Sequence, residues 1–460
     1  MVRARGEALT DALALAAQVR AGEVSARELT EAAIARIEAT DPDLNFLVTE
    51  CYDQARDAAP ADGPFTGVPM LVKDLNETAG VRTTYSSRAF ADYVPATDAA
   101  VVRRMKDAGF VVLGKSNTPE FGSTAVTESA LNGACRNPWD TSRTPGGSSG
   151  GAAAAVAAGV LPLAHGSDGG GSIRIPASCC GLFGIKPSRG RVSPAPYVSG
   201  SLELSQSGPL SVTVRDAAAF LDAIAGYEPG DAHWAPPPDR PFLEEVGVEP
   251  GRLRIAFAPE PPLDVRVDAS VAAVARNAAD ALAALGHDVI EATPPWHEPE
   301  LLDSFLRLWS VGPALVPADP SLFEPLNQWL AQCARETSGA SFARSVAALQ
   351  RVSRRTVSFW FDQDVDAVLT PGLGMLPPPI GWVFEPDDPE QQFVRGAELN
   401  PFNATANLTG QPAAMVPFGL VDGLPVGVQL IGRPADEATL FRLASQIERA
   451  HPWAQRLSDR

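Results

Sequence analysis

Lysine is scarce in this chain. Only four of the 37 basic residues are lysines, Lys73, Lys106, Lys115 and Lys186, and the others are arginines. Such a bias is typical of a GC-rich genome, which favours arginine wherever a surface positive charge is sufficient. Because lysine can lose its proton near neutral pH and arginine cannot, each remaining lysine is a candidate base. Scarcity alone does not distinguish among the four.

Cysteine is also rare, and its pattern excludes two classes of site. The count of five is odd, and no C-x-x-C or mixed Cys/His ligand spacing occurs among Cys51, Cys135, Cys179, Cys180 and Cys333. We therefore expect neither a disulfide framework nor a metal site. Reduced thiols predict a cytoplasmic protein, in which Cys179 and Cys180 are small core residues rather than nucleophiles.

Basic clusters and long apolar runs are missing as well. The 55 acidic and 37 basic side chains give a net charge of −18, which argues against nucleic acid and anionic membranes as partners. No signal peptide is recognisable. The longest uncharged run near the middle, residues 146–164, is rich in Gly and Ala and too short and weakly hydrophobic to span a membrane. We expect one compact domain over residues 1–460, as a monomer or a homodimer.

What is present is a pattern of helices and short apolar runs. The second of two N-terminal helices begins at Ser25, and Glu28 completes a capping box. Apolar runs alternating with helices predict an α/β fold on a buried sheet. The predicted helices are 8–21, 25–40, 98–108, 152–158 and 269–285, and the predicted strands are 68–72, 110–113, 253–258 and 289–290. Two Pro-rich acidic stretches, 228–250 and 370–395, are predicted to be ordered surface loops.

Glycine and serine are concentrated in two blocks, Gly146–Gly151 and Gly166–Ser172. Consecutive glycines allow several backbone N–H groups to point into one concavity, which can bind a phosphate or an oxyanion. Neither block has the spacing of a P-loop or of a dinucleotide-binding fingerprint. The phosphate interpretation therefore fails.

Ser149 is the central residue of a G-x-S-x-G pattern, the nucleophile elbow of α/β-hydrolases. That elbow follows an apolar strand, whereas residues 137–145 have no strand pattern. It also requires a late histidine, and the candidates lie at the end of a predicted helix or in polar loops: His287, His297 and His451. The sequence disfavours this class.

A serine activated by lysine is the remaining possibility. Lys73 ends an apolar run, where burial would lower its pKa and leave it neutral. A solvated charge at a strand end is the ordinary alternative. The residues alone leave both interpretations open.

Three motifs in a set order carry a resemblance to a known family. They are residues 67–74, the Gly146–Gly151 block and residues 168–177; Ser148 follows Lys73 by 75 residues, and Ser172 follows Ser148 by 24. Together they resemble the amidase signature family of Ser-cisSer-Lys hydrolases. The likeness covers nearly the whole chain, with a signature core over 66–215, and it is weakest over 295–395, a variable segment on the substrate side.

The resemblance implies a large mixed, twisted β-sheet sandwiched between layers of α-helices, and no cofactor or metal. It implies that Ser172 is acylated, that Ser148 follows a cis peptide bond and bridges Ser172 to Lys73, and that Lys73 is the base. Backbone N–H groups would form an oxyanion hole, namely those of Gly169, Gly170, Gly171 and Ser172. Further positions brace the site in the family, here Ser149, Asp168 and Arg174.

Residues 117–120, 137–139, 164–166 and 189–194 are most similar to the cyclic-amide (nylon oligomer) hydrolases and to neighbouring bacterial amidases, some of which cleave carbamates (urethanases). The expected substrate is a neutral, fairly apolar amide, linear, aryl or cyclic, with esters and carbamates as further candidates. One alternative is a glutamine-dependent amidotransferase of the A-subunit type, although residues 198–205 lack its S-x-D-Q pattern. Another is a catalytically silent binding protein, which the intact triad disfavours.

Three further features qualify this resemblance. The family commonly has a hydroxyl or larger residue at the position of Gly169, so the loop there is expected to be looser or to leave more room. His165 is expected to be a buried, hydrogen-bonded structural histidine rather than a base. Five tryptophans are candidate walls of an apolar funnel, with core packing the stronger alternative for any one of them: Trp296, Trp309, Trp329, Trp360 and Trp382.

Overall fold

A computed structural model describes residues 11–197, 202–454 and 457. Its α-helices are α1 (Ala12–Arg20), α2 (Ala26–Leu44), α3 (Tyr52–Arg56), α4 (Ala100–Asp107), α5 (Gly150–Ala157), α6 (Arg174–Cys180), α7 (Val214–Ile224), α8 (Ala269–Ala284), α9 (Leu301–Trp309), α10 (Val311–Ala314), α11 (Pro325–Glu336), α12 (Gly339–Asp362), α13 (Pro389–Leu399), α14 (Ala404–Thr409) and α15 (Glu437–Ala450). Short 3-10 helices cover Arg88–Phe90, Glu120–Gly122, Phe242–Glu245, Pro320–Leu322 and Trp382–Phe384.

The strands form one large sheet and two small ones. They are β1 (Leu47–Glu50), β2 (Pro69–Lys73), β3 (Val111–Ser116), β4 (Glu128–Ser129), β5 (Gly133–Ala134), β6 (Leu163–Asp168), β7 (Phe183–Lys186), β8 (Gln206–Ser211), β9 (Arg254–Phe257), β10 (Asp288–Glu291), β11 (Ala367–Pro371), β12 (Ala413–Val421) and β13 (Leu424–Gly432). The large sheet has the order β10-β9-β11-β13-β12-β7-β8-β6, and the small ones β1-β3-β2 and β4-β5. In the large sheet β9 pairs in parallel with β10 and β11, and the other pairs are antiparallel, so the sheet is mixed.

The large sheet is buried on both faces. Ile255 and Phe257 of β9 belong to the same apolar cluster as α7, α8 and α15, whereas Ala256 between them packs with α12. Leu369 and Val368 of β11 divide in the same way. Because successive side chains of a strand point to opposite faces, helices cover both sides. The α/β fold with a mixed sheet between helical layers is therefore confirmed.

The segment that carries Lys73 lies at the edge of the large sheet. β2 pairs in parallel with β3, with Lys73 opposite Ser116 in the register, and its other side packs beside β6. Apolar side chains bury β2 completely, and Lys73 at its end is buried with them. The predicted strand ending at Lys73 is confirmed.

A tight turn between β6 and α6 carries Ser172. Gly171 in this turn has φ +128, in the region that favours glycine, and a side chain there would also meet Asn400 and Asn403. The other Gly/Ser block leads directly into α5 at Gly150, after a cis Gly147–Ser148 peptide bond. Both blocks therefore end at the beginning of a short buried helix.

Most of the other predicted elements are also present, with shifted ends. The capping box at Ser25 and Glu28 is formed, and the helix it begins extends to Leu44 rather than ending at residue 40. Of the predicted helix 8–21, residues 8–10 lie outside the described chain and Ala12–Arg20 are helical. No strand lies between residues 137 and 145, in agreement with the rejection of a nucleophile elbow.

The prediction of loops over 228–250 and 370–395 was partly wrong. Phe242–Glu245 form a 3-10 helix, and Pro389–Leu399 form α13. Proline is tolerated in the first turn of a helix, where its missing N–H has no partner to lose. Asp388 caps this helix by accepting from the Glu390 N–H. The acidic, Pro-rich composition that suggested a loop is here a helix start. Among the described helices, none is long and apolar enough to cross a membrane.

Candidate active site

Lys73 is completely buried and is surrounded by hydroxyl groups. Its Nζ lies 2.8 Å from Ser148 Oγ, 2.9 Å from Ser149 Oγ and 3.2 Å from both the carbonyl oxygen and Oγ of Ser167. Burial lowers the pKa of Lys73 to about 7, although the negative charge of Asp168 opposes the shift. The amine is thus held in hydrogen-bonding contact with Ser148 and is easily deprotonated.

The two Gly/Ser blocks are joined at this point. The Ser149 N–H donates to the Ser172 carbonyl oxygen at 3.1 Å, and Ser149 Oγ donates to the Ser167 carbonyl oxygen at 3.2 Å. Ser148 and Ser149 lie on either side of the same bend, and both reach Lys73. Ser172 is only 7% exposed, and its exposed part faces a cavity. Lys73, Ser148, Ser149 and Ser172 therefore form one cluster.

A buried ion pair stands behind the cluster. Arg174 Nε and Nη2 donate to the two carboxylate oxygens of Asp168 at 2.9 and 2.8 Å, and both side chains are fully buried. Burial alone would raise the pKa of Asp168, but the charge and hydrogen bonds of Arg174 outweigh it and hold this pKa well below its usual range. The remaining Arg174 donors reach the Asn403 carbonyl oxygen, Gln429 Oε1 and Asn407 Oδ1. The pair is therefore fully hydrogen-bonded, as a buried ion pair must be.

The predicted oxyanion donors differ from one another. The N–H groups of Gly169, Gly170 and Ser172 have no acceptor within the described residues. The Gly171 N–H instead donates to Asp168 Oδ1 at 2.7 Å. Asn400 Nδ2 fixes the loop by donating to the Gly170 carbonyl oxygen at 2.6 Å. Three of the four predicted donors are thus free to face a substrate, and Gly171 is used to shape the turn.

Two cavities meet at the cluster. The first, about 840 Å³ including its open mouth, is lined by Ser172 and Gly170 and by apolar side chains of α9, α13 and α14. The second, about 1170 Å³ on the same measure, is lined by Ser167, Tyr85 and other side chains of the core. Neither lining includes a charged side chain of the described chain. A neutral, largely apolar ligand fits such surroundings best.

His165 lies next to Lys73 but does not have the features of a base. It is fully buried, and its Nδ1 accepts from the Lys73 backbone N–H at 3.3 Å. Burial, together with the nearby Lys73 and Lys115, lowers the pKa of His165 to about 3. The ring is therefore neutral and supports the backbone of β2, as expected for a structural histidine. Cys179 and Cys180 are buried free thiols in the core, also as expected.

The five tryptophans of the variable segment have different environments. Only Trp309 lines the two cavities. Trp296 and Trp360 are fully buried in a core cluster against the large sheet. Trp329 packs on Phe393, and Trp382 lies under the Arg395 guanidinium. The alternative of ordinary packing is correct for the other four.

Several contacts of the site were not predicted from the sequence. Ser167 touches Lys73, and Asn400, Asn403 and Asn407 hold the oxyanion loop and the buried ion pair. The position of Ser167 immediately before Asp168 was an available signal. The three asparagines lie more than 220 residues after the loop that they fix, and no local pattern links them to it.

Comparison with known proteins agrees with this architecture. A model of the family described as Amidase matches residues 28–441. The 6-aminohexanoate-cyclic-dimer hydrolase of Paenarthrobacter ureafaciens is 38% identical over 481 residues, covering 97% of this chain and 96% of that protein. The A-type component of the glutamyl-tRNA(Gln) amidotransferase of Chloroflexus aggregans is 35% identical over 478 residues, covering 95% of this chain and 96% of that protein. The solved structure of 6-aminohexanoate cyclic dimer hydrolase complexed with substrate superposes with a TM-score of 0.92 at 37% identity, covering 97% of this chain and 98% of that one.

Fold and similarity together define an enzyme that hydrolyses amides. The chain belongs to the amidase signature family. The resemblance carried by the three sequence motifs is thereby confirmed.

Proposed function

We propose that this enzyme hydrolyses the C–N bond of a neutral, fairly apolar amide through Ser172, Ser148 and Lys73, with an acyl-enzyme on Ser172. The observation that carries the proposal is the fully buried Lys73, whose Nζ lies 2.8 Å from Ser148 Oγ and whose pKa is lowered to about 7. A lysine in that state can serve as the base that a serine hydrolase without a catalytic histidine requires.

The hydrogen bonds around Lys73 support a relay. A neutral amine has two N–H donors and one lone pair, and the Ser167 carbonyl oxygen can only accept. One N–H is thereby committed, which leaves one donor and the lone pair for the surrounding hydroxyls. In the proposed mechanism the lone pair accepts the proton of Ser148, and Ser148 accepts that of Ser172 as Ser172 attacks the carbonyl carbon.

The relay then runs in reverse. Lys73 returns the proton through Ser148 to the leaving nitrogen, so that the C–N bond breaks with a neutral amine as the product. Water attacks the acyl-enzyme by the same route and releases the acid. The N–H groups of Gly169, Gly170 and Ser172 would stabilise the negative oxygen in both steps, where one such donor is typically worth about 100-fold or more in rate. Ser149, Asp168, Gly171 and Arg174 hold this loop in place.

The cavities favour a substrate without formal charge. Glutamine carries an ammonium and a carboxylate next to its side chain, and burial of these charges against uncharged linings would be costly. This argues against the amidotransferase alternative. Linear, aryl and cyclic amides all fit the description, and esters and carbamates (urethanes) share the same acyl transfer. The segment 295–395 supplies α9, α13 and Trp309 to the cavities, which supports its proposed substrate-side role beside the signature core 66–215.

The test is a screen of the purified single chain against aryl amides, linear and cyclic aliphatic amides, esters and carbamates, with Ser172→Ala as the inactive comparison. Release of amine by the wild type alone is the expected result. Activity that appears only when glutamine and a second protein component are supplied would support the amidotransferase alternative. Undiminished hydrolysis by Ser172→Ala would contradict the assignment of the nucleophile.

A further inference from the structure

Trp309, the last residue of α9, stands between the two cavities. Its indole and Ser123 are lining elements that both cavities share. The indole Nε1–H donates to the Ser123 carbonyl oxygen at 3.2 Å, and its ring stacks on Phe305 with centroids 5.4 Å apart. A hydrogen bond on one edge and a stacked ring on one face fix the plane of the indole. The partition is therefore built into the fold.

The indole also covers the oxyanion loop at Gly169. A Cβ at position 169 would lie 3.2 Å from two atoms of the Trp309 six-membered ring, closer than a comfortable contact. Gly169 does not have a positive φ, so its backbone does not itself require glycine. The room that glycine leaves at this position is filled by the indole. The neighbouring Gly170 differs, since a Cβ there would be 3.6 Å or more from Phe305 and Trp309.

The two cavities are not equivalent with respect to the chemistry. The first is lined by Ser172 and Gly170, the nucleophile and the oxyanion loop. The second is lined by Ser167, whose Oγ is 3.2 Å from Lys73 Nζ. A leaving amine must depart on the side from which its proton arrives. The second cavity is on that side, and the first is on the side of the acyl group.

We propose that Trp309 is a specificity-determining residue, which divides the substrate site into an acyl cavity and an amine cavity and for which Gly169 provides the space. This inference rests on the function proposed above. The substrate class that it defines has one apolar group on each side of the scissile bond, bound in one orientation only.

A double-mutant cycle tests the contact between the two residues. Gly169→Ala should lower kcat/KM by about tenfold or more in the wild type, because its methyl group meets the indole, and by less than about threefold in Trp309→Ala. Gly170→Ala is the matched control, and its effect should be the same in both backgrounds. An equal cost of Gly169→Ala with and without Trp309 would overturn the proposed fit. Thermal melting of each variant separates misfolding from this effect.

A pair of isomeric substrates tests the partition itself. Butyranilide and N-propylbenzamide have the same composition with the acyl and amine groups exchanged, as have phenyl butyrate and propyl benzoate among esters. The ratio of kcat/KM within a pair should change by about tenfold or more in Trp309→Ala, with Trp309→Phe intermediate, and should stay within about twofold in Trp234→Ala, which removes an exposed tryptophan. Use of the ratio cancels the difference in intrinsic reactivity.

The outcomes distinguish the two proposals. Equal losses on both isomers, with the ratio unchanged, would show that Trp309 is only structural and would overturn this inference while leaving the proposed hydrolysis intact. A wild-type protein that turns over neither pair and forms no acyl adduct on Ser172 would contradict the proposed function, and the partition would fail with it.

Discussion

Lys73 Nζ lies 2.8 Å from Ser148 Oγ and has no carboxylate within 4.0 Å in the described chain. Lys115, also completely buried, has Asp74 at 3.9 Å and donates to the Asn76 carbonyl oxygen and Thr83 Oγ1. A buried lysine without a nearby counter-ion is more easily neutral. The structure thus separates a lysine suited to proton transfer from a lysine that braces the neighbouring chain.

The first prediction concerns the base. Lys73→Arg should lower kcat/KM by about 1,000-fold or more, because a guanidinium remains protonated and cannot accept a proton. In the wild type the pKa of Lys73 near 7 places the active, deprotonated form above that pH. The rate should therefore rise as the pH increases through about 7 and then level off. Near-normal turnover by Lys73→Arg would show that the relay does not pass through this residue.

The same shift predicts a pH dependence of stability. The pKa of Lys73 is lowered from 10.5 to about 7 on folding, so between these values the unfolded chain binds more protons than the folded one. The contribution of Lys73 to the free energy of unfolding should thus increase as the pH rises from about 7 to 10.5. Relative to Lys73→Met, the wild type should gain stability over this window in urea titrations. Lys106→Met, at the surface beside Asp98, is the control.

A third prediction separates His165 from the chemistry. His165→Asn retains an acceptor for the Lys73 N–H and removes the imidazole. Since the pKa of His165 is lowered to about 3, the ring does not titrate in the working range. The variant should keep kcat/KM within about tenfold and the same inflection near pH 7. Disappearance of that inflection in pH–rate profiles would identify His165 as the titrating base.

The fourth prediction concerns the buried ion pair. Arg174→Leu leaves the Asp168 carboxylate buried without its partner and should destabilise the fold by about 3–5 kcal/mol in chemical denaturation. Breaking the exposed Arg27–Glu31 pair with Arg27→Leu should cost less than about 1 kcal/mol. If both substitutions had the same small effect, Asp168 and Arg174 would not be a structural support of the oxyanion loop.

What the sequence predicted well was local. Three glycine- and serine-rich motifs placed Lys73, Ser148 and Ser172 in one cluster, because each motif encodes its own turn and the family resemblance connects the turns. The helix at Pro389 was missed, since composition suggested a loop where a capping Asp388 and a proline in the first turn begin a helix. Element type followed from periodicity, and element ends did not.

The distant contacts could not be predicted. Asn403 and Asn407 reach Arg174 from 229 and 233 residues away, and nothing in a single sequence indicates which remote amides complete a buried network. Trp309 was one of five equivalent tryptophans until packing placed it between the cavities and against Gly169. The vacant room expected at Gly169 is occupied for the same reason. Specificity here depends on tertiary packing, which local patterns do not encode.

Acylation of Ser172 is the most direct test of the proposed mechanism. The purified enzyme is mixed with an activated acyl ester, quenched in acid within the first turnover and analysed by intact-mass and peptide mass spectrometry. We predict one acyl group per chain, located on Ser172, absent from Ser172→Ala and formed far more slowly in Lys73→Arg. An adduct on another residue, or an unmodified chain during active turnover, would contradict the account.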